Sequence, residues 1–195
     1  IYILPVIFAP LFCIARTGND TVATKSPTQL LCEMIRMLSV SGNEKKIGEF
    51  LLNESKQMGF YTRVFTDRDS SFNFAVSLYP LSQRKPNILF INHTDVVQAD
   101  DSSLWRKSPF AGILDKDTIW GRGAIDMKGI AVMQLFAAKS MLEESRTKDL
   151  PYNITVLFLA GEESGSKMGG KVITDKFLEE LNPATVFGEG GVGLK

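Results

Sequence analysis

Hydrophobic and polar positions along this chain follow two different periods. Behind Ser26-Pro27-Thr28, a helix start with proline in its first turn, Leu30, Leu31, Met34, Ile35 and Leu38 recur at helical spacing. Residues 39–42 break that pattern. A second helix is expected over 44–58, with Ile47, Phe50, Leu51 and Met58 as its stripe and Gly59 to end it. The period then shortens. Residues 61–65 and 72–78 alternate weakly around a polar turn at 67–70, as two strands of a hairpin would. Two later runs, within 87–91 and 154–160, are continuously apolar, the pattern of strands covered on both faces. Between them residues 128–144 predict the longest helix, with apolar surface from Ile130, Met133, Leu135, Phe136 and Leu142. A polar loop carrying Trp105 (98–109) and a short excursion around Asp115-Lys116-Asp117 (113–120) precede it. A helix over 172–181 and a short strand over 184–187 follow. Helices alternating with buried strands predict an α/β fold.

Composition narrows the function classes. A chain of 195 residues can bury one good core. With 22 basic and 22 acidic residues it has no net charge, which excludes the basic footprint of a nucleic-acid binder. An apolar share of 44% is that of a globular protein rather than a disordered one. The body of the chain lacks an apolar run of about 20 residues, so no stable membrane span is expected after removal of a leader. Residues 1–15 are different: almost wholly apolar, broken by Pro5 and Pro10, and followed by polar residues. They are read as a signal peptide without its start, residues 16–26 as a linker, and residues 27–195 as the folded domain. That predicts a secreted or periplasmic protein; the competing reading of 1–15 is a buried first strand or helix. Phe12 is too large for the lipid-attachment signal that Cys13 would need. Cys32 then remains as a single thiol on the apolar side of the first helix, expected buried and unpaired.

The candidate chemistry gathers where strands end. His93, the sole histidine, closes the first continuously apolar strand, and Asp95 follows two residues later, on the same side if the strand continues. Imidazole is the commonest metal ligand, and its second nitrogen usually needs a partner. Asp126 stands between the turn Gly121-Arg122-Gly123 and a helix start, where it is either a helix cap or a carboxylate reaching a metal. Glu162 and Glu163 follow the second apolar strand. Adjacent acids at a buried edge are costly unless a cation is near, and they allow one to bind metal while the other moves a proton. Glu189, between glycines, is a further oxygen ligand or an ordinary loop acid. Strand ends are where an open α/β sheet presents its site. Sequons begin at Asn19, Asn53, Asn92 and Asn153; the one at Asn92 lies inside the candidate site, where burial would have to exclude a glycan.

Taken in order, His93-Thr94-Asp95-Val96-Val97, Trp105 with Pro109-Phe110, the run Gly121 to Gly129, Gly161-Glu162-Glu163-Ser164-Gly165-Ser166 and Glu189-Gly190 resemble the M20 family of zinc peptidases and amidohydrolases, the aminoacylase, deacetylase, desuccinylase and carboxypeptidase group. The resemblance runs from about Pro27 onward. It implies a layered α-β-α catalytic domain with a mixed, largely parallel central sheet. It implies two Zn2+ ions, with Co2+ or Mn2+ as alternatives. His93 and Glu189 would bind the first metal and Glu163 the second, Asp126 would bridge them across a cis bond to Met127, and Asp95 would support His93. Glu162 would be the general base for water attack on an amide of a small peptide or N-acyl amino acid. The family's late histidine and its lid, which carries further substrate contacts and the homodimer interface, have no counterpart in these residues. A fragment with weak second-metal binding and little turnover is therefore expected. The alternative reading is a non-catalytic, metal-binding remnant.

Overall fold

In a computed structural model, residues 25–189 are described. The expected leader, Cys13 and most of the expected linker lie outside them. Helix α1 (Pro27–Arg36) opens on a capping box, in which the Ser26 hydroxyl accepts the Gln29 N–H and the Gln29 side chain accepts the Ser26 N–H. Helix α2 (Lys45–Met58) ends on Gly59 in the left-handed conformation that its position requires. Strands β1 (Tyr61–Arg68) and β2 (Ser71–Ser77) form the expected antiparallel hairpin. Strand β3 (Asn87–His93) and strand β6 (Asn153–Leu159) are the two continuously apolar runs, and they pair in parallel. The excursion between them is a two-stranded ribbon, β4 (Ile113–Asp115) with β5 (Thr118–Trp120). Helix α3 (Lys128–Thr147) connects that ribbon to β6.

The helix expected over 172–181 is two pieces, α4 (Gly170–Lys176) and α5 (Leu178–Leu181), separated at Phe177. They lead to β7 (Pro183–Phe187), which pairs in parallel with β3. The five strands lie in the order β1-β2-β6-β3-β7. Since β2 opposes both of its neighbours, it alone runs against the other four. The sheet is mixed and largely parallel in direction.

Side chains on β2 and β6 alternate between two apolar layers. Phe74, Val76, Val156 and Phe158 face α1, α2 and α3; the Phe74 and Phe158 rings stack at 4.7 Å, 9° from parallel. Ala75, Leu157 and Leu159 face α4, α5 and Leu81. The chain leaves β3 through α3 to reach β6 on one side. It then leaves β6 through α4 and α5 to reach β7 on the other side of β3. That reversal opens a crevice at the carboxyl ends of β3 and β6, the place where such sheets bind ligands.

Helix α3 departs from its expected stripe. Ala131, Val132, Leu135, Ala138 and Leu142 are buried, whereas Met133 is 65% exposed and lines an open apolar groove with Leu31, Ile125 and Ile130. Small residues let the helix lie close to α1 and the sheet, so periodicity misplaced its inner face. Cys32 is buried and makes no disulfide among the described residues, as expected. Among them no helix is long and apolar enough to cross a membrane.

The first residue of α3 carries a buried amine. Lys128 is fully enclosed, and its Nζ donates to the Met34 carbonyl at 2.9 Å and the Met37 carbonyl at 3.3 Å, at the carboxyl end of α1. Burial pushes its pKa down to about 7. Between that value and its ordinary 10.5 the unfolded chain binds the proton and the folded chain does not, so folding gains stability as pH rises through this window. Urea unfolding of wild type and Lys128→Met at a series of pH values should show the wild type gaining on the variant from pH 7 to about 10. A flat difference would refute a displaced lysine pKa.

Candidate metal centre

Strand β3 stops at His93, two residues before Asp95, so strand geometry does not set the Asp95 side chain. Beyond it the chain is tied on both sides. The Thr94 N–H donates to the Leu159 carbonyl at the end of β6, and the Val96 N–H donates to the Ser39 carbonyl. This turn carries Asp95 inward. The His93 Nδ1 lies 3.0 Å from the Asp95 carbonyl oxygen and 3.5 Å from its carboxylate, so backbone and side chain share the support expected from the side chain alone. The His93 Nε2 faces the crevice. It lies 3.0 Å from Asp126 Oδ1, 3.8 Å from Glu189 Oε1 and 4.0 Å from Glu162 Oε2.

The structure therefore brings together three of the four expected metal ligands. Candidate ligand atoms of His93, Asp126 and Glu189 all lie within 4.8 Å of one another. Asp126 is not a helix cap: Met127 occupies the cap position of α3 and the Asp126–Met127 peptide is cis. The cap reading of Asp126 falls on that geometry. Gly123, at φ +83°, permits the turn that delivers Asp126, and a Cβ there would meet Val96 at 2.7 Å. Glu163 stands apart from the trio. It lines a neighbouring cleft of about 350 Å³ together with Asp126, Arg122, Trp105 and Trp120. Asp126 thus stands between the His93 recess and this cleft.

Asp95 has no access to solvent and does not face the crevice. Its Oδ1 accepts the Glu162 N–H at 3.0 Å; its Oδ2 accepts the Glu163 N–H at 3.1 Å and the Ser41 hydroxyl at 2.6 Å. Burial works against this carboxylate, but the His93 ring, Ser41 and the Glu162 amide outweigh it and hold its pKa below the ordinary value. Burial likewise opposes the His93 cation, yet Asp95 and Glu189 hold the imidazole up at about 9. Burial, and then the field of Asp126, push Glu163 upward. Burial also raises Glu189, with Asp126 and Glu162 adding to it against the pull of His93.

Sequence reasoning missed Ser41, Glu44 and Lys128. Ser41 and Glu44 sit in a Gly-Asn turn that reads as a plain helix start, and their partners lie 54 and 117 residues away. Asn92 is fully buried and donates to Gln134 at 2.7 Å, so the folded chain withholds that sequon from a glycan.

The family model described as "Peptidase family M20/M25/M40" matches residues 89–193. The chain is 32% identical over 141 residues to a succinyl-diaminopimelate desuccinylase of Ehrlichia canis, covering 72% of this chain and 36% of that protein. To the corresponding protein of Rickettsia massiliae it is 34% identical over 143 residues, covering 72% and 37%. It belongs to the M20 peptidase family. Among solved structures, an M20 metallo-carboxypeptidase of Sulfolobus solfataricus superimposes with a TM-score of 0.72 at 24% identity, over 86% of this chain and 38% of that one. Human carnosine dipeptidase 1 does so at 0.67 and 18%, again over 86% and 38%. These two show the shared fold. The chain spans little more than a third of the length of the relatives it matches.

Because both Asp95 oxygens accept backbone N–H groups, an amide cannot replace the carboxylate without losing one. Asp95→Asn should cost about 1.5–3 kcal/mol in urea unfolding at pH 7, the range for a hydrogen bond to a charged group. A loss below about 0.5 kcal/mol would contradict this account of the buried carboxylate.

Proposed function

We propose that these residues are the catalytic portion of a metal-dependent hydrolase that cleaves an amide bond in small peptides or N-acyl amino acids. The observation that carries the reading is the convergence of Asp126, Glu162 and Glu189 on one imidazole, with ligand atoms of His93, Asp126 and Glu189 within 4.8 Å. Carboxylates this close repel one another, and a divalent cation relieves that repulsion. One nitrogen donor with several carboxylate oxygens suits zinc and also admits cobalt or manganese. His93 and Glu189 would hold the first ion, Asp126 would be shared, and Glu163 would serve a second across the cleft. Glu163 and the shared Asp126 are the ligands that these residues would offer to that second ion. Turnover by this chain alone is then expected to be weak.

A zinc ion held here supplies a Lewis acid that polarises the amide carbonyl and acidifies water. The chain's own residues do the rest. Asp95 and its backbone carbonyl fix the His93 ring so that Nε2 points into the crevice, where an ion would bind in place of its proton. Glu162, 4.0 Å from Nε2 and partly exposed, is placed to take the proton of an attacking water and pass it to the leaving amine. The apolar groove and the two tryptophans beside Asp126 offer surface to a side chain or acyl group. The names of the relatives, a desuccinylase, a carboxypeptidase and a dipeptidase, support amide hydrolysis without choosing among these substrates. Export belongs to the proposal on the apolar character of residues 1–15 alone.

Two experiments test the reading. Zinc titrated into the purified chain should bind, and His93→Ala or Asp126→Ala should weaken that binding at least about tenfold. Glu162→Gln should leave zinc binding intact and reduce hydrolysis of a dipeptide or N-acyl amino acid by about 10²–10⁴. Hydrolysis that survives Glu162→Gln removes Glu162 from its role. A chain that binds no zinc removes the metal reading and leaves a family member without that chemistry.

A further inference from the structure

Asp95 lies on the loop after β3 and Glu162 and Glu163 on the loop after β6, and neither loop is regular structure. A third segment, residues 39–44, touches both. The Ser39 carbonyl accepts the Val96 N–H at 2.9 Å, and Val40 bridges Val96 as a single parallel pair. The Ser41 hydroxyl donates to Asp95. Glu44, at the cap position of α2, makes no side-chain cap to its own helix. Its Oε1 instead accepts the Gly42 N–H at 2.9 Å and the Gly161 N–H at 3.1 Å. Glu44 has no access to solvent, and its Oε2 is buried without a hydrogen-bond partner among the described residues.

The pattern at the end of β6 is the telling one. Three consecutive amides, those of Gly161, Glu162 and Glu163, donate to three carboxylate oxygens: Glu44 Oε1, Asp95 Oδ1 and Asp95 Oδ2. Gly161 is left-handed, at φ +68°. Successive N–H groups in a turn of this kind form a concave anion site. Here the acceptors are the protein's own carboxyl groups, one on each flanking segment, so the turn that aims Glu162 and Glu163 is held from both sides at once. A helix cap would have been worth about 1 kcal/mol to α2. The Glu44 side chain forgoes it to reach across 117 residues.

We propose that residues 39–44 are a brace that sets the spacing of the metal centre, with Glu44 as a positioning residue that acts through the Gly161 N–H on Glu162 and Glu163. What Glu44 contributes is an acceptor oxygen rather than a charge. Both of its bonds fall on Oε1, an acceptor that the side-chain carbonyl of a glutamine also supplies. Glutamine should therefore replace it, and alanine should not. In its bearing on metal binding this inference rests on the function proposed above; in its bearing on the turn it does not.

The test compares wild type, Glu44→Ala and Glu44→Gln in the full chain. Amide exchange measured by NMR, without added metal, reads the turn directly. Glu44→Ala should speed exchange at Gly161, Glu162 and Glu163 by about ten- to a hundredfold, the loss of one hydrogen bond to a carboxyl group. The core amides of β2 and α3 should keep their protection. Cobalt(II) titration should show affinity falling by about 10–100-fold, as when a group that supports metal ligands is removed. Glu44→Gln should return both readouts to wild-type values. If Glu44→Ala does not fold, Glu44→Met, similar in volume and without an acceptor, replaces it. The brace is overturned if the alanine variant leaves exchange at the three amides unchanged, if protection falls equally in β2 and α3, or if glutamine does not rescue. If the wild type binds no cobalt, the proposed function fails, and exchange at the three amides decides the brace alone.

Discussion

A carboxylate with no access to solvent organises this site. Asp95 has given up hydration on both oxygens, and an unpaired charge in that position would be prohibitive. It is tolerable because two backbone amides, one hydroxyl and an imidazole surround it. The two amides belong to the β6 exit, the hydroxyl to the loop before α2 and the imidazole to the end of β3. Satisfying Asp95 therefore fixes the β3 exit, the β6 exit and the loop before α2 against one another.

The rest of the centre follows from the sheet. Parallel strands β6, β3 and β7 deliver Glu162 and Glu163, His93, and Glu189 to the same edge, because parallel strands end together. The ribbon β4–β5 and the turn at Gly121 to Gly123 bring Asp126 in from above α3. The apolar layers on both faces, anchored by the stacked Phe74 and Phe158, hold those strands in register. With the edge so fixed, acids that would repel one another cannot move apart; burial first, and the field of Asp126 after it, raise the pKa values of Glu163 and Glu189. Such a cluster favours a cation by construction.

Buried strands were legible because their residues are apolar without interruption, a pattern that nothing exposed produces. The hairpin, the helix ends at Ser26 and Gly59, and the strand-end placement of His93 and Glu162 followed from local chemistry. The inner face of α3 did not, because Ala131 and Ala138 contact the core through their smallness, which periodicity does not weigh. Residues 172–181 looked like one helix, since nothing in Phe177 announces the break between α4 and α5. Asp126 was ambiguous between a cap and a ligand, and the position of Met127 at the helix start removes the cap.

What the sequence determined by itself was which residue types stand at the ends of which strands, and through them the family. Those are properties of short windows, where period, glycine turns and polar groups sit side by side. What only the tertiary structure decided was which groups meet. Glu44 and Gly161, or Ser41 and Asp95, are joined by single hydrogen bonds across 117 and 54 residues, and no local pattern encodes such a pair. Burial made the same decision for charge. A carboxylate has one meaning in solvent and another at the bottom of a crevice, and the chain must fold before it is known which of its 22 acids are there.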